Sequence, residues 1–242
     1  MVKTPENMLD NYWQEGFSQV EGWLSPNLLQ PLKVIAQFHK AHGIQGNVLE
    51  IGVHHGKFLI PLALMTQPGE IAIGIDIFED QQKNIDFSGL GSYGKTAENI
   101  KRYCDLSIPV KLVRKDSLAM TVKDRLDLLS ESGAFRLVSI DGGHTCEHTV
   151  NDLLIAQDIL QSGGVVILDD YYNMHWPGVH EGVARFFMNY VPKLKIFSYT
   201  QNKLFLSDFT HHRRYYQLFQ ENFNREANYK LITMWGSEVV CY

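Results

Sequence analysis

Leu137-Val138-Ser139-Ile140-Asp141-Gly142-Gly143-His144 and Val165-Val166-Ile167-Leu168-Asp169-Asp170 are the two stretches that decide the fold. Each is a short, mostly apolar run closed by acid. Runs of this kind, framed by turn residues and separated by one helix-length segment, read as neighbouring buried parallel strands. In an open α/β sheet, ligands lie outside the carboxyl ends of such strands. Asp141, Asp169, Asp170 and His144 then converge where chemistry is expected. Three carboxylates suit a hard metal ion, and the imidazole is a potential base.

Working outward, the chain alternates strand-like and helix-like segments, which implies a mostly parallel sheet covered by helices on both faces. Strands are expected at 47–51, 70–76, 109–113, 135–140 and 164–168. Helices are expected from Ser25-Pro26 to about His42, and at 58–66, 95–104, 122–130 and 145–161. Ser25 is a good N-cap with proline at the first helical position. Gly163-Gly164 is the expected stop of the helix that begins near Thr145. Segments 195–199 and 204–207, joined around Gln201-Asn202, read as an antiparallel hairpin. A helix near 182–190, another near 213–224 and a short strand near 230–235 complete the reading. The expected fold is α/β, Rossmann-like, with a seven-stranded sheet and an antiparallel last pair. The expected organisation is an N-terminal arm over 1–24, a domain over 25–208, and an extension over 209–242 packing on it.

Composition narrows the function classes. The chain has 242 residues, 45% of them hydrophobic and 20% charged, as in an ordinary globular protein with ample core. A net charge of −5 argues against a nucleic-acid partner, which needs a basic surface. Cys104, Cys146 and Cys241 form no CxxC and no even framework, so a reducing compartment is expected. Residues 1–7 contain no apolar leader segment, and no stretch approaches the roughly 20 apolar residues of a membrane span. A cytoplasmic location without membrane contact is the resulting expectation.

A second chemical motif follows the first strand: Glu50-Ile51-Gly52-Val53-His54-His55-Gly56-Lys57. A glycine turn between strand and helix lets a ligand approach the backbone, and the helix N-terminus adds a positive end. The spacing is not the GxGxxG of a dinucleotide binder, which disfavours an NAD-linked oxidoreductase. The second strand ends at Asp76, where a carboxylate can accept ribose hydroxyls. Asp76 could equally cap a loop, and Asp141 could cap the helix after it. His54 and His55 are not needed as metal ligands, because the carboxylates offer a better site.

These residues together resemble the class I S-adenosylmethionine-dependent methyltransferases over roughly 45–207. The resemblance assigns Glu50, Gly52 and Gly56 to the first cofactor motif and Asp76 to the ribose. It places Asp116 and Ser117 near the adenine. One departure is His54, where many members carry a further glycine. Within that class the chain is similar to the metal-dependent sugar O-methyltransferases of macrolide and aminocoumarin biosynthesis. That resemblance assigns Asp141, Asp169 and Asp170 to Mg2+ (or Mn2+) and His144 to general base catalysis, with Asp141 also in the catalytic set. It implies S-adenosylmethionine as cofactor and a small-molecule hydroxyl acceptor, a sugar above all.

The loop after the acidic pair is aromatic, and Tyr171, Tyr172, His175 and Trp176 are expected to face the acceptor. Segment 80–94 reads as a second lid over the site. A catechol-type O-methyltransferase and a non-catalytic module of the same fold are the alternatives. A homo-oligomer, with the N-terminal aromatics on a partner subunit, is compatible with the sequence.

Overall fold

The computed structural model describes residues 5–105 and 107–242. Their order is α1 (Pro5–Asn11), α2 (Leu29–Ala41), β1 (Asn47–Ile51), α3 (Leu59–Leu64), β2 (Ala72–Asp76), α4 (Tyr93–Tyr103) and β3 (Val110–Arg114). Then come α5 (Val122–Ser132), β4 (Phe135–Ile140), α6 (Cys146–Ile159), β5 (Leu160–Leu168) and α7 (Pro177–Asn189). The last part holds β6 (Leu194–Thr200), β7 (Lys203–Asp208), α8 (His212–Phe223), β8 (Lys230–Met234) and β9 (Ser237–Cys241).

The strands form one nine-stranded sheet, ordered β3-β2-β1-β4-β5-β7-β6-β9-β8. The first five of that order run parallel. β7 turns the direction against β5, and β6 pairs antiparallel with it. The chain order reverses between β1 and β4, so the strand ends open into a crevice there.

The central strands are mostly apolar because both their faces are covered, with Glu50 of β1 and Arg136 of β4 among the few polar residues buried there. Successive β1 residues point to opposite sides: Val48 joins the core beneath α2, α3 and α8, and Leu49 the core beneath α6 and α7. The arm is not a loose cap. Tyr12 is buried and its hydroxyl donates to the Lys57 carbonyl at 2.9 Å, while Trp13 Nε1 donates to the Pro26 carbonyl at 2.8 Å. These aromatics therefore pack on their own chain.

Two elements differ from expectation. The sheet has nine strands and not seven, because β8 and β9 form a hairpin that joins β6 through Ser198↔Val240 and Tyr199↔Cys241. Its turn, Trp235-Gly236, has φ of 47° and 69°, the left-handed pair of a two-residue hairpin, but with Trp where Asn or Asp usually signals it. The second difference is at the end of α6. The helix stops at Ile159 and β5 begins at once, so Gly163 and Gly164 lie within the strand.

Candidate active site

The carboxyl ends of β1, β2, β4 and β5 surround a cavity of about 780 Å³, within the roughly 300–1,000 Å³ typical of small-molecule sites. Glu50, Gly52, His54, Asp76, Asp116 and Ser117 line one side; Asp141, His144, Asp169, Asp170, His175 and Trp176 line the other. Gly52 is forced by the backbone. Its φ is +85°, and a Cβ there would fall 1.7 Å from the Asp141 carbonyl oxygen. The first loop and the first acid are thus held in contact. The loop runs to Phe58 before α3 starts, and α3 spans six residues, so no helix end supports the glycine turn.

Asp76 organises the loop. Its Oδ2 accepts the amides of Val53 at 2.6 Å and His54 at 2.7 Å, and its Oδ1 accepts that of Phe78 at 2.5 Å. A carboxylate offers about four lone-pair positions, so one position on Oδ1 stays open to a hydroxyl. Asp116 caps the turn that follows β3, with Oδ1 accepting the Leu118 amide at 2.9 Å. Gly56 closes the loop through its amide to the Val53 carbonyl at 2.8 Å and does not reach the cavity wall.

The acidic cluster is dense and poorly compensated. Thr145 caps α6, which leaves Asp141 free of that duty. Burial, then the charges of Asp169 and Asp170, push the Asp141 carboxyl well above the usual range against the opposing pull of Lys203 and His144. Glu50 is raised likewise, by burial first and then Asp141, and its Oε2 has no hydrogen-bond partner among the described residues. Lys203 lies fully enclosed at the start of β7, where its ammonium binds Asp169 Oδ2. Burial alone would lower this lysine, but Asp169 and Asp141 outweigh burial and raise it. Asp170 has φ +62°, and its Oδ1 accepts from Asn173 Nδ2 and Asn202 Nδ2, both at 2.8 Å. Clustered carboxylates with so little positive charge fit a hard divalent cation. Asp141, His144 and Asp170 bring ligand atoms within 4.8 Å of one another, whereas Asp169 is turned to Lys203.

His144 is clamped between acids. Its backbone amide and Nδ1 both meet Asp86 Oδ2, at 2.6 and 2.9 Å, and Nε2 meets Asp170 Oδ2 at 3.1 Å. Its ring stacks on Trp176 with centroids 4.3 Å apart. Burial works to lower the imidazole, but the bonds to Asp170 and Asp86 and the charge of Asp141 prevail and push it up to about 10. In this arrangement His144 already holds the proton that a general base must lack.

Asp86 and Lys203 are the site residues that the sequence reading missed. The only signal for Asp86 was its place in the segment expected to act as a lid, and Ile85 to Gly89 do line the cavity. Lys203 gave none beyond its position after the Gln201-Asn202 turn. Tyr171 and Tyr172, expected to face the acceptor, do not line the cavity. Tyr171 is buried and its hydroxyl accepts from Trp235 Nε1 at 3.0 Å; Tyr172 packs edge-on against Tyr199. Beyond the left-handed turn at Asp170, Tyr171 reaches the β8–β9 hairpin and Tyr172 lies against His180 and Tyr199, while His175 and Trp176 line the site.

A profile described as a methyltransferase domain matches residues 49–171, half of the chain and all of the glycine loop and acidic cluster. The chain belongs to that methyltransferase family. Its fold is similar to that of the O-methyltransferase NovP, with TM-score 0.61, 16% identity, and coverage of 76% of this chain and 80% of the other. It is also similar to CalS11, a TDP-rhamnose 3'-O-methyltransferase of calicheamicin biosynthesis (TM-score 0.56, 18% identity, 84% and 92% coverage). MycE from the mycinamycin pathway, solved with Mg and SAH, matches with TM-score 0.53 and 16% identity over 85% of this chain and 54% of its own. No curated protein sequence matches. The methyltransferase is thus an enzyme of the class I S-adenosylmethionine-dependent fold, with two strands added beyond the seven expected. No described helix is long and apolar enough to cross a membrane.

Proposed function

We propose that this methyltransferase moves the methyl group of S-adenosylmethionine to a hydroxyl of a sugar or glycosylated small molecule, assisted by Mg2+ or Mn2+. The observation that carries this reading is the under-compensated cluster of Asp141, Asp169 and Asp170, which opens into the same cavity as the Gly52 loop and Asp76. Asp76 has one lone-pair position for a ribose hydroxyl, and Asp116 and Ser117, which line the same cavity, would receive the adenine. NovP, an O-methyltransferase, and CalS11, a TDP-rhamnose 3'-O-methyltransferase, share this fold, which supports a hydroxyl acceptor.

The three carboxylates would hold the cation, which when bound lowers the pKa of a coordinated hydroxyl by several units. Bound S-adenosylmethionine would supply the methyl group, leaving as the thioether, and the acceptor hydroxyl would give up its proton. His144 can take that proton only when Asp170 no longer occupies Nε2. Asp86 then keeps Nδ1 and fixes the tautomer with Nε2 as acceptor. Asn173 and Asn202 hold Asp170 in place, and His175 and Trp176 frame the acceptor. Transfer in line depends on this positioning.

The test is titration calorimetry with S-adenosylmethionine, followed by turnover on sugar diols and on catechols, with Mg2+ or with chelator. Binding of the cofactor and chelator-sensitive turnover on sugars are expected, lost on Asp169→Asn with Asp170→Asn. Turnover confined to catechols would move the acceptor to that class. A chain that binds no cofactor, or whose turnover ignores the chelator, would sink the proposal.

A further inference from the structure

Across the cavity from the acidic cluster, Glu21 of the arm meets His54 and His55 of the glycine loop. One ligand atom from each lies within 4.8 Å of the others. His55 is 3% exposed, yet among the described residues neither of its ring nitrogens makes a well-formed hydrogen bond, and Nδ1 of His54 is likewise buried without a partner there. Unsatisfied buried polar atoms are costly, at about 1–3 kcal/mol each, and call for an explanation. His55 Nδ1 lies 3.2 Å from Glu21 Oε2, and the two imidazole rings face each other with centroids 3.9 Å apart.

The loop that carries these rings is rigidly built. The His54 amide donates to Asp76, its carbonyl accepts Thr96 Oγ1 at 2.8 Å, and the His55 carbonyl accepts Asn99 Nδ2 at 3.0 Å. His54 is also held at φ +52°, in the left-handed region that histidine enters more readily than most side chains. By contrast Glu21 is exposed and free to turn, with Lys95 Nζ at 3.6 Å as its other charged neighbour.

We propose that Glu21, His54 and His55 form a second metal site, selective for a divalent transition ion such as Zn2+ and distinct from the carboxylate cluster. Two imidazoles and one carboxylate are the donor set of borderline metals, whereas Mg2+ prefers oxygen. A ligand atom at about 2.0–2.2 Å from zinc requires the three groups to close in, which exposed Glu21 can do by rotation. The bound ion would fasten the arm to the glycine loop. Its neighbours Gly22 and Trp23 line the mouth of the cavity, with the Trp23 ring 5.4 Å from that of His54. The site thus couples metal supply to the shape of the entrance. It is independent of the acceptor and of the methyl-transfer reading.

The test uses the untagged full chain, stripped with chelator and kept in excess Mg2+. Co2+ is titrated and followed by its visible ligand-field absorption, then displaced with Zn2+. One Co2+ per chain is expected, bound at least tenfold more weakly by Glu21→Gln and by His54→Gln, and fully retained by Asp169→Asn with Asp170→Asn. Glu21 lies on the surface, so its variant folds and keeps the comparison valid if the histidine variant does not; circular dichroism checks both. Absence of Co2+ binding overturns the proposal. So does absorption that survives in Glu21→Gln and His54→Gln but vanishes in the aspartate variant.

Discussion

Replacing Lys203 by Met tests how the acidic cluster is held. Lys203 is 2% exposed and binds Asp169, with Asp141 and Asp170 acting on it as well. Methionine keeps most of the volume and removes the charge. Breaking a buried pair from one side costs about 3–5 kcal/mol, because the remaining carboxylates lose compensation without regaining water. That is a large part of the roughly 5–15 kcal/mol that stabilises a domain. With a urea dependence of roughly 3 kcal/mol per molar, the unfolding midpoint should fall by about 1–1.7 M at pH 7.

The pH dependence has a definite sign. Asp141 and Glu50 are carboxyls whose folded values lie above their unfolded ones. The folded state therefore binds more protons than the unfolded chain above about pH 4, and stability falls as pH rises. Loss of Lys203 steepens that fall, so the gap between variant and wild type should be smaller at pH 5 than at pH 7. Added Mg2+ should return part of the lost midpoint. A variant that unfolds at the wild-type midpoint at pH 7 would refute the idea that Lys203 carries the compensation.

In Asp86→Asn the His144 imidazole loses a charged partner, and its value should drop from about 10 by NMR titration. A histidine raised on folding stabilises fully below about pH 6.5 and loses that contribution as pH rises through its folded value, so urea midpoints of this variant should vary less between pH 7 and 10. An unchanged imidazole titration would show that Asp170 alone sets it. Trp176→Ala removes the stack on His144 and should raise KM for the acceptor about tenfold with a smaller change in kcat, read by steady-state kinetics. Equal KM values would place the acceptor elsewhere. Gly52→Ala would put a methyl carbon 1.7 Å from the Asp141 carbonyl oxygen at a left-handed φ, and the soluble, cooperatively unfolding protein should be lost. Recovery of normal melting would mean that the loop can move away from β4.

The central sheet was legible because β1, β4 and β5 are buried on both faces, and a strand so placed must be written in apolar residues. The acids at 76, 141, 169 and 170 were legible because strand ends are where such a sheet exposes polar groups. The residues that complete the site were not. Asp86 reaches His144 from a loop without periodicity, across 58 positions of sequence, and only the folded chain sets that distance. Lys203 heads a strand that reads Leu-Phe-Leu-Ser, and nothing local reveals that its ammonium is buried. β9 was hidden by Trp235, a residue rarely found at a left-handed turn position. Tyr171 and Trp176 share one aromatic loop, but the backbone reversal at Asp170 sends them to opposite destinations.

That reversal has a practical consequence for anyone who mutates the site. Asp170 stands at φ +62°, a conformation that Gly, Asn and Asp adopt at little cost and that other side chains resist. An alanine there removes a carboxylate and imposes a backbone penalty of order 1 kcal/mol in the same step. A library screened at this position would therefore enrich Asn and Gly for their geometry before any chemistry was selected. Only the Asp-to-Asn exchange isolates the charge, and a family whose members alternate Asp and Asn at this corner would be obeying the turn as much as the reaction.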